Sequence, residues 1–148
     1  MASDPVGEHL QKQTLTVQVF VPDHPDRTET PLFAATRRTL IEHNPEAECF
    51  ICGIKTDLQL HHYWVEWCDS TAVDWKKVAE IVPAFDWATF DPTKPETFID
   101  SPANAKLVVC SKHHIGSDHG IHTLPYGLWL LQRLKRPDFT FSPDEEQP

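Results

Sequence analysis

The sequence predicts a small α+β domain, on three observations. Two short β-favouring runs, residues 58–64 and 107–109, lie far apart in the chain. Apolar residues recur at helical spacing in residues 31–41, 71–82 and 125–136. Two pairs of the same spacing, Cys49-x-x-Cys52 and Cys110-x-x-His113, sit beside the two β-favouring runs. The 148 residues, 40% hydrophobic, suffice for one core with flanking arms.

The elements follow in chain order. Residues 1–13 read as a flexible polar lead. Leu15, Val17, Val19 and Val21 alternate with polar or outward positions, which predicts a half-buried strand ended by the turn residues Pro22 to Pro25. Pro31 suits a first helical turn, and Leu32, Phe33, Thr36, Leu40 and Ile41 form the apolar stripe of a helix that stops near His43 and Asn44, ahead of Pro45. Residues 1–44 are thus expected to form an N-terminal strand and helix arm. Residues 45–136 form the main domain, and residues 65–103 are an insertion carrying a helix at 71–82 and a proline-rich loop. A short helical turn is expected at 111–115, a last helix at 125–136, and an acidic disordered tail at 137–148.

Cysteine usage gives the first chemistry. Zinc in a structural site takes four soft or borderline donors from two short loops. Cys49 with Cys52, and Cys110 with His113, supply such a set and would pin together the ends of the segment between them. A redox or buried-thiol role for Cys49 and Cys52 is the other reading, and it leaves the Cys110/His113 pair unexplained. Cys68 has no partner at this spacing and reads as a core thiol. Trp64, Trp67, Trp75, Trp87 and Trp129 read as core residues, and His9, His24 and His43 as surface ones.

Seven of the nine histidines fall between residues 43 and 122, with adjacent pairs at His61-His62 and His113-His114. With His113 assigned to zinc, His61, His62 and His114 remain. The order Cys-x-x-Cys, His-His at a strand end, Asn104 ahead of a strand, then Cys-x-x-His-His resembles the HNH endonuclease family, whose fold is a ββα-metal (His-Me finger) core. The resemblance covers residues 49 to about 122. It implies that His61 and His114 hold a catalytic divalent ion, Mg²⁺ or another, that His62 is the general base, and that Asn104 braces the motif. A third ligand or a phosphate contact is expected from His119, ahead of Asp118 and His122. It also implies a small stand-alone protein of the kind carried by phages and other mobile elements.

The chemistry is coherent on its own account. Phosphodiester hydrolysis needs an activated water and a cation to stabilise developing charge, and a neutral imidazole accepts a proton near pH 7. One geometric condition attaches: neighbours on a regular strand point to opposite faces, so His61 and His62 reach one site only at a strand irregularity.

Charge bounds the partners. Lys+Arg total 13 against 22 Asp+Glu, a net −9, so DNA binding needs local cations or a metal rather than the overall field. Lys106, Lys112, Arg133, Lys135 and Arg136 are the candidate phosphate contacts. Duplex DNA is the expected partner; an RNase using the same residues, or a non-catalytic zinc module binding a protein through the acidic surface, is the alternative. No apolar run approaches the ~20 residues of a membrane span, and no secretory leader is evident, so an intracellular, cytoplasmic location is expected.

Overall fold

A computed structural model of the protein describes residues 7–14 and 18–145. Its first helix, α1 (Pro31–Arg37), starts where the local chemistry directs: the Thr30 side chain accepts the Phe33 N–H at 3.0 Å, and Pro31 takes a position whose N–H would have no helical partner. The helix widens into a π turn, Arg38–Glu42, closed by the His43 N–H on the Arg38 carbonyl at 2.7 Å. It ends before Pro45, as the sequence predicts.

Two strands, β1 (Leu58–His62) and β2 (Ala105–Cys110), pair antiparallel in a two-stranded sheet. Between them lie a 3₁₀ turn (Trp67–Ala72), α2 (Trp75–Ile81) and α3 (Glu96–Ile99). The short helix α4 (Ser111–Ile115) follows β2 without a break, and α5 (Tyr126–Leu134) completes the main body.

A lone two-stranded ribbon is marginal in water, and two apolar clusters support this one. Ile51, Leu107, Val109 and Trp129 pack beside the cysteines; the insertion brings Val65, Val78, Phe98 and Ile99, ringed by Trp75, Phe85, Trp87 and Phe90. Phe98 and Ile99 are wholly buried, so α3 is the insertion's anchor.

Several expectations need correction. Residues 18–21 form no strand, and Phe20 is fully exposed; residues 15–17 of the expected strand lie outside the described residues. Alternation alone cannot hold a strand that has no ladder partner. The helix expected over 71–82 begins only at Trp75, because Asp74 caps it by accepting the Lys76 N–H. Cys68 is half-buried beside Asp69 rather than a core thiol, and Trp64 is exposed. The expected disordered tail is ordered through residue 145, with a 3₁₀ turn at Pro143–Glu145 whose Asp144 contacts His119. None of the helices among the described residues is long and apolar enough to cross a membrane.

Candidate active site

Cys49, Cys52, Cys110 and His113 converge on one point and can hold a metal ion such as zinc. Cys49 Sγ lies 3.8 Å and Cys110 Sγ 3.3 Å from His113 Nδ1, and Cys52 Sγ lies 3.9 Å from Cys110 Sγ. Tetrahedral zinc with thiolate and imidazole ligands has ligand–ligand edges of about 3.5–3.8 Å, so the set fits. The loop is built for it: Gly53 at φ +75° turns the chain so that its N–H bonds the Cys49 carbonyl at 2.9 Å. Burial pushes the Cys49 thiol up, but hydrogen bonds from His113 and from the loop backbone bring it down to about 6. Cys52 is pushed up to about 11 by burial and by the adjacent sulfurs. A cation resolves that opposition by favouring both thiolates.

The small helix α4 serves two places at once. His113 and His114 are consecutive and so diverge by roughly 100° around the helix. His113 turns to the cysteines, while His114 turns to His61 and His122, whose ligand atoms all lie within 4.8 Å of one another. Gly120 makes His122 available. The chain there doubles back on α4, with the His122 N–H on the His114 carbonyl at 3.3 Å. A Cβ at Gly120 would sit 2.7 Å from that carbonyl oxygen.

The donor set of this trio fits a metal. Both ring nitrogens of His61 are buried without a hydrogen-bond partner; Glu66 Oε1 stands 3.3 Å from Nε2 in a geometry that makes no bond. Buried polar atoms left unpaired are costly and need an explanation. His114 Nδ1 donates to Gln59 Oε1 at 2.5 Å, which leaves its Nε2 lone pair facing His122 Nε2 at 3.1 Å. Burial pushes His61 down and brings His114 to about 4, with the neighbouring histidines adding to both effects, so both are neutral at pH 7 as ligands must be.

The expected third ligand, His119, is elsewhere. It is buried, with Nδ1 on Gln132 Oε1 at 2.9 Å and Nε2 on the Asp144 carboxylate at 2.9 and 3.0 Å, so neither nitrogen is left for a metal. His122 stands in its place.

His61 and His62 meet the strand condition through a bulge. His61 pairs with Leu107 and His62 with Ala105, so Lys106 is an extra residue on β2 and the ladder shifts between the two histidines. Both side chains consequently line the same clefts. His62 Nε2 lies 3.1 Å from Asp100 Oδ1, and its Nδ1 lies 3.6 Å from Glu66 Oε2. Asp100 is itself fixed by Arg27 at 2.9 and 3.2 Å and by the Thr30 hydroxyl at 2.7 Å.

Asn104 is wholly buried and braces the turn after β1. Its Oδ1 accepts the Trp64 and Val65 N–H groups, and its Nδ2 donates to the Val65 and Ile99 carbonyls, all at 2.9 Å. Sequence reasoning missed Glu66, Asp100, Arg27, Thr30 and Gln59. Glu66 carried a faint signal, lying four residues after His62; the others carried none.

The cysteine–histidine cluster and small α+β fold are compatible with an HNH-type module. No family model, curated protein or solved structure matches the chain.

Proposed function

We propose that the protein is a metal-dependent endonuclease of HNH type that hydrolyses DNA phosphodiester bonds. The observation that carries this reading is the juxtaposition of His61, His114 and His122, the first with partnerless buried nitrogens, with a fourth histidine, His62, already oriented by a buried carboxylate.

His61, His114 and His122 would hold the divalent ion, which when bound offsets negative charge gathering on the phosphate and on the leaving oxygen. Three imidazoles favour a transition-metal ion such as Ni²⁺ or Zn²⁺ over Mg²⁺, which prefers oxygen donors. His62 is the proton acceptor. Its Nε2–H donates to Asp100, so the Nδ1 lone pair is free to take a proton from a water resting against both Nδ1 and Glu66 Oε2, which lie 3.6 Å apart. Asp100 sets the tautomer, Arg27 and Thr30 hold Asp100 in place, and Asn104 fixes the backbone on which His62 ends. Glu66 stands against both His61 and His62 and can order the water.

Nicking of supercoiled plasmid with Ni²⁺, Mn²⁺ and Mg²⁺ tests the reading, comparing wild type with His62→Ala and measuring zinc content on both. Removal of a general base lowers the rate by about 10²–10⁴-fold. Zinc-loaded wild type that cuts neither plasmid nor single strands sinks the nuclease reading in favour of a binding module.

A further inference from the structure

Beside the histidines a cleft of about 470 Å³ opens, floored by Leu107, Ile121 and Trp129 and ending at His61 and His122. Its walls carry large aromatic rings that the core does not use. Tyr63 is 45% exposed, Trp64 41% and Tyr126 60%. Tyr63 and Trp64 meet edge to face at 4.7 Å, and the ammonium of Lys106 stands 4.8 Å from one ring and 5.6 Å from the other. Arg133 covers the ring of Phe50, another wall residue, at 4.4 Å. The bulge that brings His61 and His62 together is what introduces Lys106 here.

We infer that this cleft binds unpaired nucleotides by stacking, and that the substrate of the adjoining histidine site is single-stranded DNA rather than the intact duplex expected from the sequence. The inference rests on the nuclease reading for the cutting step, and on the cleft alone for the binding step. Aromatic faces beside cations suit single strands, because every base has a face to stack while the cations meet the flanking phosphates. In a duplex the base faces are covered by neighbouring bases, and binding then depends on neutralising many phosphates. A chain with net charge −9 is poorly equipped for that. Stacking supplies attraction that its charge does not. Lys106 and Arg133 are the two cations placed on the cleft's aromatic rings, and two phosphate contacts predict a log–log salt slope no steeper than about −1.4 for single strands.

The test measures anisotropy of fluorescein-labelled (dT)₁₂ and of a labelled 12-base-pair duplex with zinc-loaded protein and no second metal added. Cleavage of both is followed in parallel with Ni²⁺. The expected result is (dT)₁₂ bound at least tenfold more tightly than duplex. Trp64→Ala should weaken (dT)₁₂ binding by about five- to a hundredfold, with Trp64→Phe restoring most of it. Tyr63→Ala, at an exposed ring, decides the matter if Trp64→Ala loses its zinc. Duplex bound as tightly as (dT)₁₂, or (dT)₁₂ binding indifferent to both aromatic substitutions, overturns the inference even if the wild type cleaves DNA. Trp64-dependent (dT)₁₂ binding without cleavage supports the stacking cleft and overturns the nuclease reading alone.

Discussion

His62 Nε2 sits 3.1 Å from Oδ1 of Asp100, a carboxylate 38 residues away in sequence that is wholly buried. Asp100 also accepts two bonds from Arg27 and one from Thr30, and its carbonyl accepts the Thr36 hydroxyl at 2.8 Å. The N-terminal segment is therefore part of the site's support: residues 27–36 hold the group that orients the proposed base.

Asp100→Asn should destabilise the fold by about 3 kcal/mol at pH 7, the low end for a broken buried pair, because Arg27 at 34% exposure can rehydrate. Burial pushes the Asp100 carboxyl up, but the bonds from His62, Arg27 and Thr30 outweigh it and hold the group below its ordinary range. A carboxyl lowered on folding contributes stability that is complete above its unfolded value of about 3.9 and is lost as pH falls through the folded value. The gap in urea midpoint between wild type and variant should grow as pH falls from 7 to 5, because His62 gains its proton beside the carboxylate, and should narrow below about 4 as the carboxylate is protonated. Loss of metal from the cysteine cluster in acid affects both proteins alike, so the gap isolates Asp100. A gap that still widens below about pH 4 would refute this account.

The same contacts set the pH profile of cleavage. Burial works to push His62 down, but the Asp100 and Glu66 carboxylates outweigh it and raise the group above its ordinary value. A raised histidine keeps its proton to higher pH, and only the unprotonated form accepts one from water. The rate should rise with pH through a midpoint above about 6.5. Asp100→Asn removes one of the raising contacts, so its midpoint should move to lower pH while the plateau also falls. Rate–pH profiles of the two proteins at one fixed metal concentration check this; an unmoved midpoint would remove Asp100 from the base's environment.

The four-residue cluster should carry one zinc per chain and control folding. Zinc in comparable small sites contributes about 10–16 kcal/mol of apparent binding free energy, more than the ~5–15 kcal/mol by which most domains are stable. Cys49→Ser or Cys110→Ser should therefore lose cooperative unfolding, and a strong chelator should unfold the wild type reversibly. Cobalt substitution gives the direct check, since a thiolate-bound tetrahedral site absorbs in the visible. Cooperative unfolding retained without metal would make the cluster dispensable.

What could be read from sequence was what lies within a few residues. Cys49-x-x-Cys52-Gly53 is a local turn whose glycine needs a positive φ, and Pro31 marks a local helix start; both announce themselves by residue type. Both strands were legible as β-favouring runs, although the first ends at His62, two residues before its run does. The Lys106 bulge was not, since it arises from pairing two strands whose lengths between fixed points differ by one residue. Asp100 was hidden among the aspartates of the insertion, and its meaning appears only when α3 is buried and Arg27 reaches it. The alternation misled at residues 18–21 because period two states what a strand would bury, not that a partner edge exists. The acidic tail misled in the opposite way, for Asp144 looks like solvated charge until His119 faces it.

The choice between His119 and His122 turns on one glycine, and it can be decided by metal binding. The turn at Gly120 sends the chain back along α4, which puts His122 Nε2 3.1 Å from His114 Nε2 and leaves His119 on the far side with Gln132 and Asp144. His122→Ala should weaken Ni²⁺ binding at this second site and lower cleavage by more than the ~10–100-fold that follows loss of a residue orienting a ligand. Gln59→Ala, which frees His114 Nδ1, should fall within that ~10–100-fold range. His119→Ala should leave Ni²⁺ affinity unchanged and instead release the C-terminal segment, read as faster proteolysis between residues 137 and 142. Isothermal titration of the zinc-loaded proteins with Ni²⁺ separates the cases. Ni²⁺ affinity lost with His119 and kept without His122 would move the metal to the site that the sequence alone had favoured.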